Sequence, residues 1–161
     1  MGELGRPLRR VLRAGCYITH DNLGYTEAYA RMRREASLRF PEGDLEPAMQ
    51  VWAMVQSVPE ERLAILTCGK RDAGFDLGWP VPLARFRPGE DAAPVPFGAF
   101  HKVTGMNDQH AYLAGPTEGL LRVGDLVCLG IGHPCATFDR WQVLPLVEED
   151  LTVVGAVRTF F

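Results

Sequence analysis

From residue 49 to the C-terminus, short apolar runs alternate with clusters of Gly, Pro and Asp, and this punctuation constrains the fold more than any other feature. MQVWAMVQSV and RLAILTCG flank PEER and read as a hairpin with a short loop. FHKVTGMNDQHAYLAG reads as two short strands broken at Gly105, and LLRVGDLVCLGIG as two strand-like runs around a VGD turn. WQVLPLVEEDLTVVGAVRTFF closes the chain with two apolar strands around an acidic turn at Glu148, Glu149 and Asp150. KRDAGFDLGWPVP and RPGEDAAPVP read as loops. The 17 Gly and 12 Pro in 161 residues suit a turn-rich β protein better than a helical one.

Before residue 49, VLRAGCYIT has the composition of a strand interrupted by Gly15. TEAYARMRREASL, residues 26 to 38, is the one convincing helix. Thr26 is placed to cap it, and Tyr25, Tyr29, Met32 and Ala36 recur at helical spacing. Arg31, Arg33 and Arg34 on its other face read as a solvated surface. About eight strands to one helix predicts a mainly β domain, barrel or sandwich.

With 47% hydrophobic residues the chain has enough apolar content for one domain with a core. Its 17 basic and 20 acidic residues leave a net charge of −3, which argues against nucleic-acid or membrane-surface binding. The basic residues are 15 Arg and only two Lys, Lys70 and Lys102, so few positions could carry a Schiff base. No apolar run approaches the roughly 20 residues of a membrane span, and the N-terminus shows no signal-peptide h-region. Cys16, Cys68, Cys128 and Cys135 are scattered without a CxxC pair, as expected of reduced thiols in a cytoplasmic protein. Cys16 and Cys68, in apolar strands, read as inert core residues.

GHPCATFDRW, residues 132 to 141, gathers the most chemistry. On an extended backbone His133 and Cys135 would project to the same side, and an imidazole beside a thiolate suits a borderline-soft ion such as Zn²⁺. Two ligands would leave open positions, the catalytic rather than the structural arrangement. Read from the residues alone, a hydrogen-bonded histidine and a buried cysteine are favoured over a metal site. Asp108, Gln109 and His110 either line a pocket or make a turn. Thr19, His20, Asp21 and Asn22 read as satisfying local backbone groups, and Lys70, Arg71 and Asp72 as a surface charge pair. No Gly-rich phosphate loop and no Ser/His/Asp arrangement of familiar spacing is present.

Taken together, GCYITHD, GKRDAGFDLGWPVP, MNDQHAYL, VGDLVCLGIGHPCATFDRW and AVRTFF resemble the C-terminal region of the D-serine dehydratase-like (amino acid deaminase) branch of the fold-type III pyridoxal phosphate enzymes. Alanine racemase and D-threonine aldolase are more distant members of that group. The resemblance implies an alanine racemase-type C-terminal β-barrel of Greek-key kind with one short helix. It makes residues 1–20 the last segment of a missing TIM barrel and residues 21–161 the β-domain. It also implies zinc on His133 and Cys135, pyridoxal phosphate on a lysine outside this chain, and elimination of water from a D-amino acid such as D-serine. The aldolase relatives carry an acidic residue where Cys135 stands, so the cysteine favours the dehydratase branch. Asp108, Gln109 and His110 match the family's polar segment near the active site, and Tyr17 would reach the cofactor from the last barrel strand. Asp139 and Arg140, beside the ligands, would support them. A homodimer with the β-domain against a barrel mouth is the implied assembly. A D-threonine aldolase-like or racemase domain, and a non-catalytic β-barrel binding module, are the alternatives.

Overall fold

The computed structural model describes residues 11, 13, 15, 16, 18–35 and 45–161. In chain order the elements are α1 (Gly24–Glu35), β1 (Gln50–Glu60), β2 (Leu63–Leu66), β3 (Val81–Phe86), β4 (Val95–Pro96), β5 (Lys102–Met106), β6 (Ala111–Ala114), β7 (Leu126–Gly130), α2 (Cys135–Phe138), β8 (Val143–Val147) and β9 (Val153–Arg158). Seven strands form one antiparallel sheet in the order β4-β3-β7-β1-β2-β6-β5, and β8 pairs with β9 as a separate hairpin. The mainly β architecture is the one expected.

β1 explains why the sheet curls. Its 11 residues, about 36 Å at 3.3 Å each, are long enough for two partners. Gln50–Met54 pair with β7, and the stretch from Val55 onward pairs with β2. Register shifts at Val55/Ser57 and Ser57/Glu60 mark where the strand bends, since an extra residue on one strand increases local twist. The bend brings β3 and β5 into contact across the concave side, giving a half-barrel.

Inside the curl, Val51, Ala53 and Val55 of β1 alternate inward and meet Ala64, Leu66, Ala111, Leu113, Val127 and Leu129. Around the turn that leads into β7, Asp125 is buried and accepts from Arg87 Nε at 2.7 Å and Nη2 at 2.9 Å, and from the Arg122 amide at 2.8 Å. Burial opposes its charge, but these donors outweigh that and hold the carboxyl below its ordinary range. Together they tie the end of β3 to the start of β7.

Several local expectations are corrected. Gly15, Cys16, Ile18 and Thr19 lie in turns rather than a strand, because the His20 amide donates back to the Cys16 carbonyl at 2.7 Å. The other residues of that expected strand (12, 14 and 17) lie outside the described residues, as does most of the 1–20 segment. The helix begins at Gly24, and its cap is Asp21: the carboxylate accepts the Leu23 amide at 2.8 Å and the Tyr25 amide at 3.1 Å, while Thr26 donates to the Asp21 carbonyl. Residues 36–38 lie outside the described residues. No residue of α1 is buried, so its apolar stripe does not belong to this core. Gly105 lies within β5, the break falling instead at the 107–110 turn. LLR is no strand, since Leu120 and Leu121 donate to the Thr117 carbonyl in a tight turn. VPLARF, in part assigned to a loop, is β3.

Candidate active-site rim at His133 and Cys135

The expectation that His133 and Cys135 sit on an extended strand fails. Pro134 is helical (φ −56°, ψ −41°), and Cys135 opens the single turn of α2. The fixed φ of proline suits the start of a helix, where its missing N–H costs nothing. The side-by-side argument from strand geometry therefore lapses, and the local turn presents the two side chains instead.

What holds this turn is a set of contacts to the loop at 69–76. Buried Thr137 accepts the Gly74 amide at 2.9 Å and donates to the His133 carbonyl at 3.2 Å. A Cβ on Gly74 would stand 2.8 Å from the His133 carbonyl oxygen, so only glycine permits this approach. Trp141 Nε1 donates to the Asp72 carbonyl at 2.7 Å, and Arg140 Nε to the Lys70 carbonyl at 3.0 Å.

His133 Nδ1 lies 2.7 and 2.9 Å from the two carboxylate oxygens of Asp76. Hydrogen bonding from His133 is the main cause holding the Asp76 carboxyl below its usual range, with burial only partly opposing it. An ionised carboxylate cannot donate, so Nδ1 carries the proton and a neutral ring keeps its lone pair on Nε2. This is the orientation that metal-binding histidines take when a carboxylate fixes their other nitrogen. The support expected from Asp139 is corrected here, since Asp139 pairs with Arg140 at 2.8 Å. Asp76 was missed by sequence reasoning, although its GFD segment belongs to a stretch that carries the resemblance.

Cys135 is exposed, and its Sγ lies 3.6 Å from that of Cys16. Cys16 is therefore half-buried at a turn rather than an inert core residue. Burial, and after it the neighbouring Cys135, push the Cys16 thiol up. Cys68 and Cys128 are buried, and burial pushes both thiols to about 12. Among the described residues no three His, Cys, Asp or Glu side chains converge as a metal-holding group.

Asp108, Gln109 and His110 form the turn between β5 and β6, closed by the Asn107 amide on the His110 carbonyl at 2.8 Å. With Lys70 and Asn107 they line an open cavity of about 380 Å³. The three residues make this turn and stand at the edge of that open cavity. Lys70 and Arg71 amides donate to the Asn107 and Asp108 carbonyls at 2.8 and 3.0 Å, so the 69–76 loop joins this turn to the His133 turn. A Cβ on Gly69 would stand 2.3 Å from the Asp108 carbonyl oxygen. Tyr17 lies outside the described residues.

Among the described residues no helix is long and apolar enough to cross a membrane. A search of curated protein sequences finds no significant match. Among solved structures, D-threonine aldolase from Filomicrobium marinum is similar at 23% identity with a TM-score of 0.62, over 88% of this chain and 32% of that one. A cysteine-to-alanine variant of D-threo-3-hydroxyaspartate dehydratase in a metal-free form is similar at 19% identity and a TM-score of 0.54, over 70% of this chain and 32% of that one. The chain thus spans about a third of the solved chains it matches, and both likenesses speak to the fold. Residues 48–147, which include Asp76, the 107–110 turn, His133 and Cys135, match the family model described as "Putative serine dehydratase domain", and the chain belongs to that D-serine dehydratase-like family.

Proposed function

We propose that this chain is the metal-holding C-terminal domain of a pyridoxal phosphate-dependent D-amino acid dehydratase, converting D-serine to pyruvate and ammonia. One observation carries the reading: within the family-matched segment, Asp76 holds His133 Nδ1 at 2.7 Å beside the exposed Cys135. The donor set suits zinc, because a thiolate and an imidazole with a fixed tautomer are its preferred ligands. When bound, pyridoxal phosphate supplies an electron sink and zinc supplies Lewis acidity at the departing hydroxyl.

The chain's own residues have defined tasks in this reading. His133 and Cys135 hold the ion, and Asp76 keeps the His133 proton on Nδ1. Gly74 and Thr137 set the height of the His133 backbone. Asp108, Gln109 and His110 face the substrate from the neighbouring turn, and Tyr17 approaches the cofactor. Residues 1–20 are the end of a TIM barrel that carries the Schiff-base lysine, and residues 21–161 are the β-domain docked on it, in a homodimer. Two features support a larger whole: the chain's coverage of only 32% of each similar structure, and the exposed Val143, Leu146, Val153, Val154 and Val157 on the β8–β9 hairpin.

The test is an assay of the full-length protein with D-serine, following pyruvate, alongside its zinc content. His133→Ala is expected to lose both; undiminished zinc and activity in that variant would sink the assignment. The likeness to D-threonine aldolase over 88% of the chain favours one second reading, cleavage of a D-β-hydroxy amino acid. Glycine and acetaldehyde formed from D-threonine, without pyruvate from D-serine, would select it.

A further inference from the structure

We infer that Cys16 and Cys135 are a redox modification site, a dithiol pair that hydrogen peroxide closes to a disulfide and a thiol reductant reopens. The two residues are 119 positions apart, yet their Sγ atoms stand 3.6 Å from each other at the rim. A disulfide holds its sulfurs at about 2.05 Å, so closure needs about 1.5 Å of approach from the observed distance. That movement is within the swing of a cysteine side chain between staggered positions. A pair that opens again under reductant also suits the scattered, otherwise reduced cysteines of this chain.

The fold keeps the pair together while it is reduced. The His20 amide closes the turn at Cys16 by donating to the Cys16 carbonyl at 2.7 Å, and the Asn22 amide fastens the segment to the Ile131 carbonyl at 2.9 Å, two residues before His133. Leu23 packs so closely on Gly132 that a Cβ there would stand 2.4 Å from Leu23 Cδ1. On the other side of the pair, the Phe138 amide donates to the Pro134 carbonyl at 2.9 Å, and buried Thr137 accepts the Gly74 amide at 2.9 Å, so the turn that presents Cys135 is fixed as well. Backbone contacts on both sides, rather than the sulfurs themselves, build the meeting.

The other two cysteines are set apart from this chemistry. Cys68 and Cys128 are buried and their thiols are pushed to about 12, whereas Cys135 is exposed and meets a dissolved oxidant first. Its sulfur attacks one peroxide oxygen, the O–O bond breaks, and water leaves with the thiol proton, giving a sulfenic acid. The Cys16 sulfur then attacks that sulfur: the S–S bond forms, the S–O bond breaks, and the hydroxyl departs as water with the Cys16 proton. The two thiols together lose two electrons, and the peroxide is reduced to two waters. When Cys16 is absent, further peroxide carries the sulfenic acid on to sulfinic acid, which a thiol reductant does not reverse. In the function proposed above, the closed pair withholds the Cys135 sulfur from an ion; that consequence rests on the zinc reading, while the bond itself does not.

Peptide mapping of the full-length protein, stripped of metal with a chelator and treated with hydrogen peroxide, tests this by mass rather than by activity. The unreduced digest should contain peptides joined through Cys16 and Cys135, from material that runs as a single chain on a denaturing gel, and the link should vanish after dithiothreitol. Cys128→Ser should keep the link. Cys16→Ser should lose it, and Cys135 should then carry two added oxygens that dithiothreitol does not remove. Sulfinic acid at Cys135 of the wild type beside a free Cys16 thiol overturns the inference, as does a link from either residue to another cysteine or to a second molecule. Both thiols still free after excess peroxide overturn it too. Undiminished zinc in His133→Ala, which sinks the zinc reading, leaves each of these outcomes with the same meaning.

Discussion

Two carboxylates in this molecule each grip a basic side chain, and their surroundings differ. Asp125 is 2% exposed and holds Arg87 with two hydrogen bonds plus a backbone amide, at the end of the half-barrel where β3 and β7 close. Asp76 is half-exposed and holds His133 alone, on the rim where the loops gather. The first pair is buried and multiply satisfied, so it serves the fold. The second is wet and gives little stability, yet it sets which imidazole nitrogen faces outward. The same chemical pairing thus becomes a staple or an orienting device according to burial.

The comparison breaks most visibly at the buried end. Asp125→Ala leaves Arg87 and the Arg122 amide without their acceptor, and a loss of about 3 kcal/mol is expected, read as a lower urea midpoint. The pH dependence has the same origin. The folded-state value of Asp125 lies below its ordinary 3.8, so its contribution is complete above that value and is lost as pH falls through the depressed one. Acid unfolding of Asp125→Asn should accordingly be shallower below pH 3.8 than that of the wild type.

Gly74→Ala sits between the two regimes. Its new Cβ meets the His133 carbonyl oxygen at 2.8 Å, and about 2 kcal/mol of overpacking cost is expected, together with weaker zinc retention. An unchanged midpoint would mean the rim gives way more easily than its contacts imply. Trp141→Phe removes the bond to the Asp72 carbonyl at a cost of about 1 kcal/mol. Asp76→Ala should leave the urea midpoint unmoved and lower zinc affinity by about 10- to 100-fold. A large stability loss in that variant would erase the distinction drawn between the two pairs.

Much of the β architecture was legible in the chain. The β1–β2 hairpin and the β8–β9 hairpin could be read because apolar runs with turn residues between them specify pairing locally. β3 was hidden because VPLARF follows a Pro-containing loop and begins with Val-Pro, which reads as a loop edge. The polar 107–110 turn was legible as a turn. At the rim, His133 and Cys135 could be named from the sequence, but the helical turn at Pro134 could not. That conformation depends on Thr137 and Gly74, which are 63 residues apart.

By itself, the sequence determined a mainly β domain, its family resemblance and the residue types able to hold a metal. Those properties follow from composition, short-range pattern and motif. Only the tertiary structure decided that Asp76 holds His133 and that Cys16 meets Cys135. Contacts 57 and 119 positions apart depend on how the sheet curls and where its loops converge, which no local pattern encodes.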